Sequence, residues 1–255
     1  MGGRGSIVAG ISIAALVSLT SCQTSSSRTA RYVESGPPRY EISCPVGEEC
    51  NESVALLVGL SAPTKPTRCT AALIGARTAI TAGHCVAWEL ASGGSCDGVW
   101  LGFAQAGDRP SGWVGCDRVS SLSSSSGNLL SPDYAVLELS VEPGRRPLPI
   151  QRGEVAAGEV VRMVSVTADR FYDDLHEVRT RRCVVGDNRQ IASQGAADPG
   201  AIRLLSSCPI REGSSGAPVL DRRGRMRGLI HAAGPRYFAL GLMTLLPQQV
   251  EGEDR

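Results

Sequence analysis

The chain has 255 residues, enough for one large domain or two small ones with a substantial buried core. Its 26 basic and 25 acidic residues nearly cancel, to a net charge of +1, which gives no indication of a nucleic-acid partner or an acidic partner. The 30 glycines and 15 prolines favour short strands joined by turns, and helical spacing of apolar residues is scarce.

The N-terminus has the pattern of an export signal. One arginine precedes the apolar stretch SIVAGISIAALVSL, residues 6–19, which is too short to span a bilayer but fits the core of a signal peptide. The following LTSC, Leu19 to Cys22, resembles the lipobox of bacterial lipoproteins. That resemblance implies cleavage of a signal peptide, residues 1–21, and lipid attached to Cys22. The alternative is an ordinary secretory signal in which Cys22 is incidental.

Residues 22–42 are polar, with a serine run and a proline pair, and are predicted to form a flexible tether. The domain that follows should then lie outside the cytoplasm, held to the membrane by lipid on Cys22. An outer-membrane or cell-surface position would follow only in a cell with two membranes.

Nine cysteines are present, and eight remain once Cys22 is set aside. An even number in an exported chain indicates disulfides, and the lack of a C-x-x-C pair argues against a zinc site. Sequence alone leaves the connectivity open. The simplest hypothesis pairs nearest neighbours, namely Cys44 with Cys50, Cys69 with Cys85, Cys96 with Cys116, and Cys183 with Cys208.

Three short motifs carry candidate chemistry. In CTAALIGARTAITAGHC, two predicted strands flank a turn, and His84 follows the second strand beside Cys85, a fixed placement that suits a general base. In SPDYAVLEL, Asp133 precedes an alternating strand, where a carboxylate can orient an imidazole. In REGSSGAPVL, small residues crowd Ser215 ahead of a strand, as an exposed nucleophile requires. Each motif alone is more often an ordinary turn or a core histidine.

Together, in the order histidine, aspartate, serine, the motifs resemble those of chymotrypsin-fold serine proteases, closest to the bacterial trypsin-like branch. The resemblance runs from about Val54 to Leu246. It implies that His84 is the general base, that Asp133 orients it, and that Ser215 is the nucleophile. It also implies an oxyanion hole formed by the N–H groups of Gly213 and Ser215, and a disulfide between Cys69 and Cys85.

The sequence departs from the family pattern around the serine. Ser214 stands where the animal enzymes have an acidic residue that pairs with a new N-terminus, so we expect no such activation switch. Ala217 stands where the family usually has glycine or serine.

The residues that the resemblance assigns to the substrate pocket are Pro209, Ile210, Glu212 and His231. No aspartate stands at Pro209 or Ile210, so cleavage after arginine or lysine has no charge partner. A small or apolar pocket is one interpretation. A glutamate-binding pocket using His231 is another, although the register looks one residue off. A third places His231 in the structure near Asp133, with no substrate contact. His176, in YDDLHEV, is predicted to lie in a surface loop.

The resemblance implies an all-β fold of two six-stranded antiparallel barrels with the active site between them. We expect the first barrel at 43–139, carrying His84 and Asp133, and the second at 140–255, carrying Ser215, with EPGRRPLP as the crossover. The expected function is a monomeric serine endopeptidase acting on protein or peptide substrates, without metal or other cofactor. The alternatives are an inactive binding module on the same fold, an esterase, or an unrelated β protein.

Overall fold

The computed structural model describes residues 36–47, 50–62, 65–86, 93–123, 130–169, 174–187, 200–233 and 241–247. The expected signal peptide, Cys22 and most of the expected tether lie outside these residues. Among the described residues, no helix is long and apolar enough to cross a membrane.

Six antiparallel strands form a first closed barrel in the order β2-β3-β4-β7-β6-β5. Closure leaves no free sheet edge, and inward-facing side chains such as Leu57, Leu101 and Leu137 fill the interior, each fully buried. The strands are β2 (Val54–Ala62), β3 (Lys65–Leu73), β4 (Thr78–Thr81), β5 (Trp100–Phe103), β6 (Gly112–Ser123) and β7 (Tyr134–Leu139).

Six further antiparallel strands close a second barrel, because β8 pairs with both β9 and β11 in the order β8-β9-β10-β13-β12-β11. The expectation of an all-β fold with two six-stranded barrels is confirmed. The strands are β8 (Val160–Ala168), β9 (Leu175–Val185), β10 (Ile202–Ser206), β11 (Pro218–Leu220), β12 (Met226–Ala233) and β13 (Gly241–Leu245).

The short strand β1 (Glu41–Ser43) precedes the first barrel in sequence but pairs with the second. It runs parallel to β9, with Ile42 opposite His176. The N-terminal segment therefore bridges the two barrels. The boundary predicted from the sequence had placed the chain from residue 43 onward in the first barrel.

The two barrels share one apolar core at their junction. Val164 and Val166 of β8, and Leu229 of β12, belong to the same buried cluster as the first-barrel side chains. Burial of apolar surface across the junction contributes about 25 cal/mol per Å². The junction is therefore packed, and residues on either side of it hold fixed relative positions.

His176 lies in β9 and is 1% exposed, with its ring edge-on to Tyr40 at a centroid distance of 4.9 Å. The prediction that it lies in a surface loop is therefore wrong. The polar residues before it resemble a loop, but burial alternates along the strand, with His176 and Val178 on its buried face.

Four disulfides join cysteines that are nearest neighbours in sequence, which is the simplest connectivity proposed above. Cys69–Cys85 closes a separation of 16 residues and ties β3 to the chain just after β4. The other three bonds are Cys44–Cys50, Cys96–Cys116 and Cys183–Cys208.

We predict that replacing both Cys69 and Cys85 with alanine lowers the free energy of unfolding by about 3 kcal/mol, because the open chain gains loop entropy. Replacing Cys44 and Cys50, which are 6 residues apart, should cost less, about 2 kcal/mol. Urea denaturation of the oxidised proteins gives both values. An equal or larger loss in the Cys44–Cys50 variant would contradict the prediction.

Candidate active site

His84 lies in a 3₁₀ turn, Gly83–Cys85, that directly follows β4. The disulfide from Cys85 to Cys69 fixes this turn to β3. A Cβ atom on Gly83 would lie 2.3 Å from the carbonyl oxygen of Ser123 and 2.6 Å from Oδ1 of Asp133. Only glycine fits there, and its small size lets the turn approach Asp133 closely.

Asp133, just ahead of β7, holds His84 through both carboxylate oxygens. Oδ2 lies 2.5 Å from Nδ1 of the imidazole, and Oδ1 accepts the backbone N–H of His84 at 3.0 Å. An ionised carboxylate only accepts hydrogen bonds, so Nδ1 carries the proton and Nε2 is the ring nitrogen left to accept one. Asp133 is completely buried, whereas the side chain of His84 is 42% exposed.

The serine turn, which we define as residues 211–216, is closed by its own hydrogen bonds. The backbone N–H of Ser214 donates to the carbonyl of Arg211 at 3.0 Å, and the N–H of Arg211 donates to Oγ of Ser214 at 3.1 Å. Ser214 is 1% exposed, so its hydroxyl is a buried polar group with a partner inside the turn. Ser215 itself is partly exposed.

The serine turn packs directly against the strands that lead to His84. The backbone N–H of Thr70 in β3 donates to the carbonyl of Ser215 at 2.8 Å. A Cβ atom on Gly216 would lie 2.0 Å from the carbonyl oxygen of Thr70 and 3.0 Å from the backbone nitrogen of Ala82. The structure therefore places the serine turn beside the short segment that leads to His84, and His84 is in turn bonded to Asp133.

The two expected oxyanion donors are the N–H groups of Gly213 and Ser215. Within the part of the chain that the structure describes, neither N–H donates a hydrogen bond. Gly213 has φ of +90°, a conformation that glycine adopts readily. Two donors without a partner in the described part of the chain therefore flank a partly exposed serine, and both are available to an incoming acceptor.

The expected pocket residues take up different positions. Pro209 and Glu212 are exposed, whereas Ile210 is 7% exposed and packs in the core of the second barrel. A Cβ atom on Gly241 would lie 2.1 Å from Cδ1 of Ile210, so that side chain fills the space over β13. Residues 234–240, which follow β12, lie outside the described residues.

His231, in β12, is 2% exposed and lies behind Asp133. Its Nδ1 is 3.0 Å from Oγ1 of Thr244 in β13, and the same hydroxyl accepts the backbone N–H of Asp133 at 3.2 Å. This position agrees with the interpretation that His231 belongs to the surroundings of Asp133. A buried ring tied to Thr244 gives no support to direct contact with a substrate carboxylate.

Two threonines that the sequence analysis did not single out, Thr70 and Thr244, contact the site residues. Each is buried, at 0% and 1% exposure. The available signal was a hydroxyl within an apolar strand, in CTAALI and in GLMTLL, because such a group must find a partner. The partners lie too far away in sequence for that signal to identify them.

One group of potential metal ligands occurs at the site, formed by Cys69, His84 and Cys85, whose donor atoms lie within 4.8 Å of one another. The two sulfur atoms are bonded to each other. The group therefore offers no thiolate, which is the form of cysteine that binds zinc.

Comparison with solved structures finds the same fold at low sequence identity. A scabies mite inactivated protease paralogue, S-I1, matches with a TM-score of 0.60 and 15% identity over 78% of this chain and 92% of its own. A protein named GrC matches with 0.60 and 15% over 81% and 92%. A thermostable serine protease, AL20, from an extremophilic microorganism matches with 0.56 and 15% over 76% and 91%.

Comparison by sequence gives the family. No curated protein matches the chain significantly. The family model for the trypsin-like peptidase domain matches residues 69–229, a range that contains His84, Asp133 and Ser215. With more than half of its length matched, the chain belongs to the trypsin-like peptidase domain family.

Proposed function

We propose that the protein is a serine endopeptidase that cleaves peptide bonds through an acyl-enzyme on Ser215. The observation that carries the proposal is the buried Asp133 carboxylate, 2.5 Å from Nδ1 of His84. The serine turn packs against β3 and against the segment that leads to His84. This arrangement leaves Nε2 of His84 as the base for the Ser215 hydroxyl. Deprotonated Ser215 then attacks the scissile carbonyl, and protonated His84 donates to the leaving amine.

The unused N–H groups of Gly213 and Ser215 would receive the oxyanion that forms in the attack. Preorganised donors of this kind account for a large part of the rate enhancement in acyl transfer. The buried Asp133 would stabilise the imidazolium while the serine proton resides on His84, because the two opposite charges are in contact.

We further propose that the enzyme needs no activating cleavage of its N-terminus beyond removal of the signal peptide. Ser214 is buried and its hydroxyl is satisfied by the N–H of Arg211. A neutral hydroxyl at this position requires no cationic partner, whereas a buried carboxylate would require one. The serine turn is therefore ordered by its own hydrogen bonds.

For substrate preference we propose a small or apolar side chain before the cleaved bond. Ile210 is apolar and fills the space over Gly241, which makes the pocket shallow. Glu212 is exposed at the edge of the turn and carries a negative charge that disfavours an acidic substrate residue there.

A catalytically inactive binding module is the second candidate. Two of the structural neighbours are inactivated protease paralogues of the scabies mite, and Ile210 narrows the space available to a substrate side chain. The fully formed pair of His84 and Asp133 favours the enzyme, because a binding module has no need of an oriented imidazole.

The proposed location is the outer side of a bacterial membrane, through lipid on Cys22. The support is the apolar stretch at residues 6–19 followed by LTSC. We predict that cells expressing the protein incorporate an alkyne-tagged palmitate into it, and that Cys22→Ser removes the label. Ser21→Ala serves as the control, and persistent label in Cys22→Ser would contradict the anchor.

We predict that the purified, oxidised protein without its signal peptide, and with no further cut, reacts covalently with a serine-directed fluorophosphonate. Ser215→Ala should abolish the reaction, and His84→Ala should slow it by about 1,000-fold or more, because the base is lost. Intact mass spectrometry measures the adduct and shows that the chain was not cut after residue 22. A folded wild-type protein that does not react would favour the binding module.

We predict that Thr244→Val, which has nearly the same shape but no hydroxyl, lowers the fluorophosphonate rate constant by about 10-fold. The buried N–H of Asp133 would lose its acceptor, at a cost of about 1–3 kcal/mol, and a small displacement of Asp133 reorients His84. Thr244→Ser keeps the hydroxyl and should remain within about 2-fold of wild type. Equal rates for Thr244→Val and wild type would contradict the role of this contact.

A further inference from the structure

Thr70 is a polar residue on the buried strand β3, immediately after Cys69, and it is completely buried. Its Oγ1 lies 2.7 Å from the carbonyl oxygen of Gly213 and 2.9 Å from the backbone nitrogen of Val166. A carbonyl only accepts and a backbone N–H only donates, so the directions are fixed. Thr70 donates its single hydroxyl proton to Gly213 and accepts from Val166.

The backbone of Thr70 holds the same turn at a second point. Its N–H donates to the carbonyl of Ser215 at 2.8 Å. One residue of the first barrel therefore anchors the carbonyls of Gly213 and Ser215, on either side of Ser214. The carbonyl of Thr70 in turn accepts the hydroxyl of Thr81 at 2.8 Å, so every polar atom of the anchor has a partner.

Gly213 needs such an anchor because glycine is the residue with the greatest backbone freedom. Its φ of +90° keeps its Cα close to β8, where an added Cβ would lie 2.8 Å from the carbonyl oxygen of Val166. The peptide unit before Gly213 carries one of the two oxyanion donors, and rotation of that unit would turn the N–H away. The Gly213 carbonyl belongs to the following peptide unit, so the Thr70 bond fixes that unit and the Gly213 Cα, against which the donor N–H is positioned.

We propose that Thr70 is a positioning residue for the oxyanion hole. Its hydroxyl fixes Gly213 between β3 and β8. The inference rests on the proposed serine-protease function. Thr70 touches neither the substrate nor the reacting atoms. It acts through Gly213, so its loss should lower the rate of acylation more than the affinity for substrate.

The test compares Thr70→Val, which removes the hydroxyl at nearly constant shape, with Thr70→Ser, which retains it. The readouts are the second-order rate constant for a fluorophosphonate, and kcat and KM for p-nitrophenyl acetate, an ester that needs the oxyanion hole and little else of the cleft. We expect Thr70→Val to lower the fluorophosphonate rate constant and kcat by about 10- to 100-fold with KM nearly unchanged, somewhat less than direct loss of an oxyanion donor. Thr70→Ser should stay within about 3-fold of wild type.

Ser53→Ala is the matched control for the loss of a buried hydroxyl. Ser53 is 5% exposed, and its Oγ donates to the carbonyl of Arg146 at 2.5 Å, a contact that does not involve the serine turn. We expect it to lower the thermal midpoint without changing either rate. If Thr70→Val does not fold, Thr70→Ala supplies the same comparison with Thr70→Ser.

The outcomes separate the two levels of inference. A reactive wild type with slow Thr70→Val and near-normal Thr70→Ser supports the proposal. A reactive wild type with an equally reactive Thr70→Val overturns it and leaves the protease function standing. Equal slowing by Ser53→Ala, or slowing of Thr70→Ser to the level of Thr70→Val, also overturns it, because the effect is then one of general stability. An unreactive wild type removes the protease function, and the positioning role with it.

Discussion

The site depends on the contact between the barrels where β3 of the first meets the serine turn of the second. The proposed base and its carboxylate lie on one barrel and the proposed nucleophile on the other, so the proposed catalysis requires the barrels to hold a fixed relative position. Apolar burial at the junction stabilises the contact but does not set the relative orientation of the barrels. The hydrogen bonds of Thr70 to Gly213 and Ser215 set that orientation, because they are short, buried and join particular backbone atoms.

A second contact of the same kind operates behind Asp133. The carboxylate uses both oxygens on His84, and the backbone N–H of Asp133 reaches across to Thr244 in the second barrel. Burying a carboxylate is costly unless hydrogen bonds compensate, and here two N–H groups of a single residue do so. The same bonds that stabilise the buried charge also fix the orientation of the imidazole. Stability and function are coupled at this point, and a change that loosens one should loosen the other.

The sequence predicted the local parts of the site and not the contacts that join them. Three motifs located His84, Asp133 and Ser215, because each motif is confined to a few residues whose spacing is visible. Thr70 bonds to a residue 143 positions away, and Thr244 to one 111 positions away, distances at which a single sequence carries no pairing signal. The prediction of a surface loop at His176 was wrong for a different reason. The aspartates before β9 are typical of a loop, whereas burial along β9 itself alternates every two residues, as in a strand.

The departures from the family pattern around Ser215 have a common physical consequence. An acidic residue at position 214 would need an ammonium partner, whereas Ser214 is satisfied by the N–H of Arg211, three residues earlier. Ile210, just before this turn, packs against Gly241 in place of a polar pocket residue. Both residues are satisfied by uncharged contacts, so neither needs an electrostatic partner. Without a charged partner, the turn is held by its own hydrogen bonds and by those from Thr70 on the first barrel, which is why the Thr70 hydroxyl is expected to matter for the geometry of Gly213.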